Sequence, residues 1–94
     1  MSTPEGKVKR RVTELLKKYP GLYYEMPVPG GYGKSGLDYM GCYKGKFFSV
    51  ETKAPGKKPT ERQQLTISAI TRAGGAVFVI DGDTTELKDW LDHQ

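Results

Sequence analysis

Asp38 and Glu51 stand on either side of Lys44-Gly45, and Lys53 follows Glu51 at the next position but one. Lys44-Gly45 is a two-residue connection between the apolar runs Leu37 to Tyr43 and Lys46 to Thr52, with glycine where a tight hairpin needs a positive φ. Pairing Tyr43 with Lys46 carries the register along the ladder until Asp38 faces Glu51. Like charges opposite one another repel, their Cβ atoms only about 4.5–5.5 Å apart, so the pair makes most sense with a cation between them. Alternation along the strand puts Lys53 on the same side as Glu51, with Ser49 and Phe47 below. Two carboxylates suit Mg²⁺, a hard octahedral ion that keeps water and phosphate in its shell, and the backbone carbonyl of Thr52 is a candidate third protein ligand. Such a set serves the hydrolysis of a phosphodiester, which needs an activated water and compensation for charge developing on the phosphate and leaving oxygen. Lys53 is assigned to positioning and electrostatic stabilisation before general base. The competing reading is a solvated polar sheet face on which Lys53 forms a salt bridge.

The elements that must position these groups are legible from capping and periodicity. Thr3 is an N-cap, Pro4 the first helical residue and Glu5 an acid in the first turn. Val8, Val12, Leu15, Leu16 and Tyr19 then fall on one face, and Pro20-Gly21 ends the helix. Leu22 to Met26 reads as a short strand, and Pro27 to Ser35 as a mobile loop rich in glycine and proline. After the hairpin comes a second loop, Ala54 to Pro59. Thr60 caps a helix from about Glu61 to Ala73 that carries Leu65, Ile67, Ala69 and Ile70 and ends at Gly74-Gly75. Ala76 to Ile80 is a continuous apolar run, expected to be a central strand buried on both faces. Asp83 or Thr84 opens a last acidic helix with Leu87, Trp90 and Leu91 that closes the sheet from one side. The order α, three strands, α, strand, α defines an α/β fold with a mixed sheet flanked by helices.

The 94 residues make one domain that buries roughly 60–65 % of the unfolded chain's surface. That core is small, and a homodimer is plausible from size. No apolar run approaches the length of about 20 residues needed to cross a bilayer, and the charged N-terminus lacks a signal region. A soluble, cytoplasmic protein without membrane association is expected, in a host cell if phage-encoded. The single Cys42 excludes an internal disulfide and a cysteine-based zinc site and is assigned to packing. The net charge of +4 is uneven, with 13 Lys and Arg against 6 acids in residues 1 to 62 and 2 against 5 thereafter. A polyanion would dock on the first part. The loop Gly30-Gly-Tyr-Gly-Lys-Ser35 does not make a phosphate-binding loop, because Val28 stands where the Walker pattern needs its first glycine and a strand follows instead of a helix. No nucleotide cofactor is expected.

Gly36-Leu-Asp38, Glu51-Thr-Lys53 and a downstream glutamine at a helix start resemble the PD-(D/E)XK nuclease superfamily. More narrowly, Glu51-Thr-Lys-Ala-Pro-Gly, Thr60-Glu-Arg-Gln63 and Gly74-Gly-Ala-Val-Phe-Val-Ile-Asp81 are similar to VRR-Nuc domains, especially the stand-alone versions of phages. The similarity runs from about Glu5 to Asp81, nearly the whole chain. It implies a restriction-endonuclease-like α-β-β-β-α-β core and a Mg²⁺- or Mn²⁺-dependent DNA endonuclease. Asp38 and Glu51 match the metal-binding acids, Lys53 the catalytic lysine, and Gln63 the family glutamine at the edge of the site; adjacent Gln64 is the less favoured choice. Glu5 matches the family's N-terminal glutamate, although an acid in a first helical turn is favourable for dipole reasons alone. Leu37 is a departure, since many relatives have proline before the motif aspartate.

Lys57, Lys58 and Arg62, with Lys34 on the opposite loop, are candidates for contacts to backbone phosphates, which give affinity without sequence information. Ordinary solubility explains any one of them equally well. Tyr32 and Tyr39 are candidates for stacking on bases, against the more usual role of a sheet tyrosine in packing, and His93 is a bystander. A two-fold dimer with two sites would suit both strands of a duplex or a four-way junction. The rivals are a non-catalytic nucleic-acid-binding module of the same fold and an RNA-directed nuclease.

Overall fold

The computed structural model describes residues 3–28 and 36–94. Helix α1 (Pro4–Leu16) is capped as its sequence requires, with Thr3 Oγ1 accepting from the Gly6 amide at 2.9 Å. It stops one turn short of Tyr19, whose ring still packs edge-on to Tyr43 at 5.7 Å. Strands β1 (Tyr23–Glu25), β2 (Tyr39–Tyr43) and β3 (Lys46–Thr52) form an antiparallel meander. Lys44 and Gly45 take φ values of 49° and 81°, the two positive angles of a type I′ turn whose twist matches the strands it joins. Tyr43 pairs with Lys46 and Tyr39 with Val50, the register anticipated from the turn. Helix α2 (Glu61–Arg72) leads to β4 (Ala76–Ile80), and α3 (Thr85–Asp92) ends the described chain's secondary structure. The strand order is β1-β2-β3-β4, with β4 parallel to β3. This is the α/β, mixed-sheet arrangement of a restriction-endonuclease-like core.

The position of β4 corrects one expectation. It is the edge of the sheet, not its centre. Its apolar run serves two environments: Ala76, Phe78 and Ile80 face the main core in line with Phe48, Val50 and Thr52, while Val79, on the other face, is exposed. Nor is it buried on both faces: only Ile80 is fully buried, and an apolar run by itself specifies neither a covering layer on each face nor hydrogen-bonded neighbours on two sides.

The core lies on one face only. Val8, Val12, Leu15 and Leu16 of α1 and Leu87 and Leu91 of α3 close over Tyr39, Phe48, Val50 and Ile80. Gly41 is required here, because a Cβ would meet the Tyr23 carbonyl oxygen at 2.4 Å and the Phe48 ring at 2.8 Å. Helix α2, on the other face, buries none of its residues fully, and Leu65 is 73 % exposed. No helix among the described residues is long and apolar enough to cross a membrane.

Candidate active site

At the end of the β2–β3 ladder opposite the hairpin turn, Asp38 lies one residue before β2, across from Glu51 of β3. The Asp38 amide donates to Glu51 Oε1 at 3.3 Å, fixing the two acids to one another. Thr52, fully buried on the core side, turns its amide (2.8 Å) and its hydroxyl (2.5 Å) onto Asp38 Oδ2. Glu51 is held from the other side of the sheet. Gln63 Nε2 donates to Glu51 Oε2 at 2.8 Å, and Lys53 Nζ lies 3.6 Å from the same oxygen. Gln63 also completes a capping box: its Oε1 accepts from the Thr60 amide at 2.9 Å and its own amide donates to Thr60 Oγ1 at 3.2 Å. One residue thus starts α2 and ties that start to the acid.

Glu51 is only 4 % exposed. Burial first, then the facing Asp38, pushes its carboxyl up from the ordinary 4.5, against the opposing pull of Lys53 and the Asp38 amide. The charged pair is therefore uncomfortable by itself. Such a pair could hold a divalent cation: two hard oxygen donors, Asp38 just before β2 and Glu51 on β3, the second raised first by its burial and then by its neighbour's charge. Among the described residues no group of three His, Cys, Asp or Glu could hold a metal, so water, carbonyl and substrate oxygens would fill the rest of the shell, as is usual for Mg²⁺.

The sequence-derived site residues do not all come together. Asp38, Glu51, Lys53 and Gln63 converge. Thr52 is in the site, with its amide and hydroxyl engaged by Asp38. Glu5 is joined to the acids through Lys9, whose Nζ lies 3.5 Å from Glu5 Oε2 and 3.9 Å from Asp38 Oδ1. Lys57 and Lys58 are exposed on the loop after β3, and Arg62 is exposed in the first turn of α2 beside Gln63. That loop is pinned by the Gly56 amide donating to Asp81 Oδ2 at 3.2 Å. Lys34 and Tyr32 lie outside the described residues. Tyr39 is not available to bases: it is fully buried, with its hydroxyl 2.7 Å from Thr13 Oγ1 and donating to the Lys9 carbonyl at 2.9 Å. Leu37 is buried in place of the proline of related motifs. Cys42 is an exposed free thiol on the open sheet face, not a packing residue. His93, the C-cap of α3, has its ring Nδ1 2.6 Å from the Asp89 carbonyl, away from the acid pair.

Two contributors escaped the sequence reading. The Thr52 hydroxyl could have been found from its register, since it pairs beside the position opposite Asp38. Lys9 carried a clearer signal, standing at i+4 from Glu5 on the same helical face.

Comparison with known proteins finds a nuclease relative. The chain is 30 % identical over 77 residues, 82 % of each sequence, to a protein of Acyrthosiphon pisum secondary endosymbiont phage 1 named "Putative nuclease p44". At that identity and coverage the chain belongs to the same nuclease family as this phage protein. No family model matches the chain, and no solved structure matches it at a comparable level.

Proposed function

We propose that the protein is a Mg²⁺- or Mn²⁺-dependent DNA endonuclease of the VRR-Nuc type. The observation that carries the reading is the convergence of Asp38, Glu51, Lys53 and Gln63 at one end of the sheet, with both acids locked to each other and to neighbouring elements. A binding module for a polyanion has no use for a buried, mutually repelling acid pair. Kinship with the phage nuclease supports phosphodiester hydrolysis in general, and the Glu51-Thr-Lys-Ala-Pro-Gly and Thr60-Glu-Arg-Gln63 strings support the narrower family.

In the proposed reaction, Asp38, Glu51 and the Thr52 carbonyl would hold a divalent ion. The ion, when bound, supplies a water of lowered pKa and a Lewis acid for the phosphoryl oxygen. Thr52 and Gln63 keep the two carboxylates from rotating, which preserves the geometry that in-line attack requires. Lys53, leaning on Glu51, places its ammonium where it can hydrogen-bond the attacking water and offset charge on the phosphate. Glu5 borders the site through Lys9, and Lys57, Lys58, Arg62 and Lys34 guide the backbone of the nucleic acid.

The protein acts as a homodimer in this proposal, its two sites serving both strands of a duplex or a branched substrate such as a four-way junction. The support is an apolar, uncovered sheet face bearing Tyr23, Met40 and Phe47. A host-cell cytoplasm is the proposed place of action.

The deciding experiment is cleavage of supercoiled plasmid, linear duplex, single strands and a synthetic four-way junction, with Mg²⁺, Mn²⁺ or EDTA. Cutting that requires metal and falls to background in Asp38→Asn and Lys53→Ala, with DNA binding retained, is the expected result. Binding without cutting of any substrate would sink the enzymatic reading in favour of a docking module.

A further inference from the structure

Lys9 is a second lysine at the acid pair, and its setting differs from that of Lys53. Its backbone is clamped, since the buried Tyr39 hydroxyl donates to the Lys9 carbonyl at 2.9 Å, and Tyr39 is the residue next to Asp38. Its side chain is 37 % exposed and therefore free to leave. Its ammonium bridges Glu5 Oε2 at 3.5 Å and Asp38 Oδ1 at 3.9 Å. Thr52 takes only Oδ2 of Asp38, so Oδ1 is the oxygen left for a cation, and the Lys9 ammonium is the cation beside it. Lys53 meanwhile sits on Glu51.

We infer that Lys9 is an internal counter-cation of the metal-free site, holding Glu5 and Asp38 together until a divalent ion displaces its ammonium from Asp38 Oδ1. This rests on the metal-site reading above and adds a competitor to it. Metal loading then breaks the Lys9–Asp38 pair and sends the ammonium outward, where a phosphate of the nucleic acid is the natural new partner. The role is one of positioning and affinity control, distinct from the chemistry assigned to Lys53.

The test is Mn²⁺ binding without DNA, followed through the paramagnetic resonance signal of free Mn²⁺, for wild type, Lys9→Met, Lys9→Gln and Lys9→Arg. Lys7→Met, on the same helix at an exposed position, controls for the loss of one positive charge. Lys9→Met and Lys9→Gln should bind Mn²⁺ about three- to tenfold more tightly than wild type, Lys9→Arg should match wild type, and Lys7→Met should change little. In EDTA, Lys9→Met should melt below wild type, and Mn²⁺ should restore more of its Tm. Two folded variants, Met and Gln, that bind no better than Lys7→Met would overturn the inference and leave the metal site standing. Mn²⁺ binding by none of the proteins, wild type included, would instead overturn the metal-site reading and this inference with it.

Discussion

The two faces of the sheet are built to different standards. On one, α1 and α3 bury Tyr39, Phe48, Val50, Ile80, Leu87 and Leu91 almost completely. On the other, α2 covers β4 loosely, buries none of its own residues fully, and leaves Phe47 and Met40 exposed. Each acid of the candidate site is tied to a different face: Asp38 through Thr52 to the packed one, Glu51 through Gln63 to the open one. The packed face fixes where the site is. The open face leaves room for what comes to it, and its apolar surface is where the proposed second subunit would dock.

The sharpest way to break this comparison is to truncate one apolar residue of the packed face and one of α2. Phe48→Ala removes a fully buried ring that lies on Gly41 and beside Trp90, with centroids 5.8 Å apart, and should cost about 3–5 kcal/mol. For a domain of this size each kcal/mol lowers Tm by about 4–8 °C, so much of the margin for folding disappears. Leu65→Ala should stay within about 0.5 kcal/mol at protein concentrations where the chain is monomeric. Thermal melts by circular dichroism decide it, and equal losses would mean that α2 is packed as tightly as α1. Phe47→Asp sharpens the same contrast, because in analytical ultracentrifugation it should shift a dimer to monomer with little change in the monomer's fold. A dimer that persists through Phe47→Asp and Met40→Asp would place the subunit contact elsewhere.

The packed face was the more legible of the two in sequence. Thr3, Pro4 and the spacing of Val8, Val12, Leu15 and Leu16 specify α1 locally, and Lys44-Gly45 leaves one register for the hairpin, so Asp38 opposite Glu51 followed from chain geometry. The place of β4 did not follow, because the order of strands is decided by where the α2 crossover returns, a nonlocal outcome that an apolar run does not encode. The open face misled for a related reason. Leu65 and Cys42 are apolar residues in regular elements, yet both are exposed, Cys42 on the uncovered sheet face and Leu65 on the side of α2 away from its half-buried residues. Within the site, roles that depend on side-chain reach were the hardest to see. Thr52 was assigned through its carbonyl, whereas its hydroxyl is what grips Asp38, and Lys9 reaches Asp38 only because Tyr39 fixes the helix against the strand.

The Thr52 hydroxyl tests whether the packed face positions the acid. Thr52→Val keeps shape and the amide bond to Asp38 while deleting the second donor to Oδ2. Partners that orient a metal ligand are typically worth about 10–100-fold in affinity or activity, so Mn²⁺ affinity or the cleavage rate should fall within that range. Thr52→Ser should recover most of it. A Thr52→Val protein with unchanged metal affinity and cleavage would show that the amide alone orients Asp38 and that the buried hydroxyl is only packing.

The subtlest probe is pH, applied to the metal-free protein. Burial, and then the charge of Asp38, raise Glu51 above its ordinary 4.5, so the folded state keeps this proton when the unfolded chain has already released it. Folded protein then binds more protons than unfolded protein in the window that opens near 4.5 and closes above the raised value, and stability must fall as pH rises through that window. The sign is opposite to that of a salt-bridged carboxylate, whose stabilisation is lost as pH falls. In EDTA, the Tm of wild type should therefore decline across the window relative to Glu51→Gln, in which nothing titrates at this position. Parallel Tm profiles for the two proteins would mean that Lys53 and Gln63 fully offset the burial of Glu51, and that a cation has no unfavourable charge there to relieve.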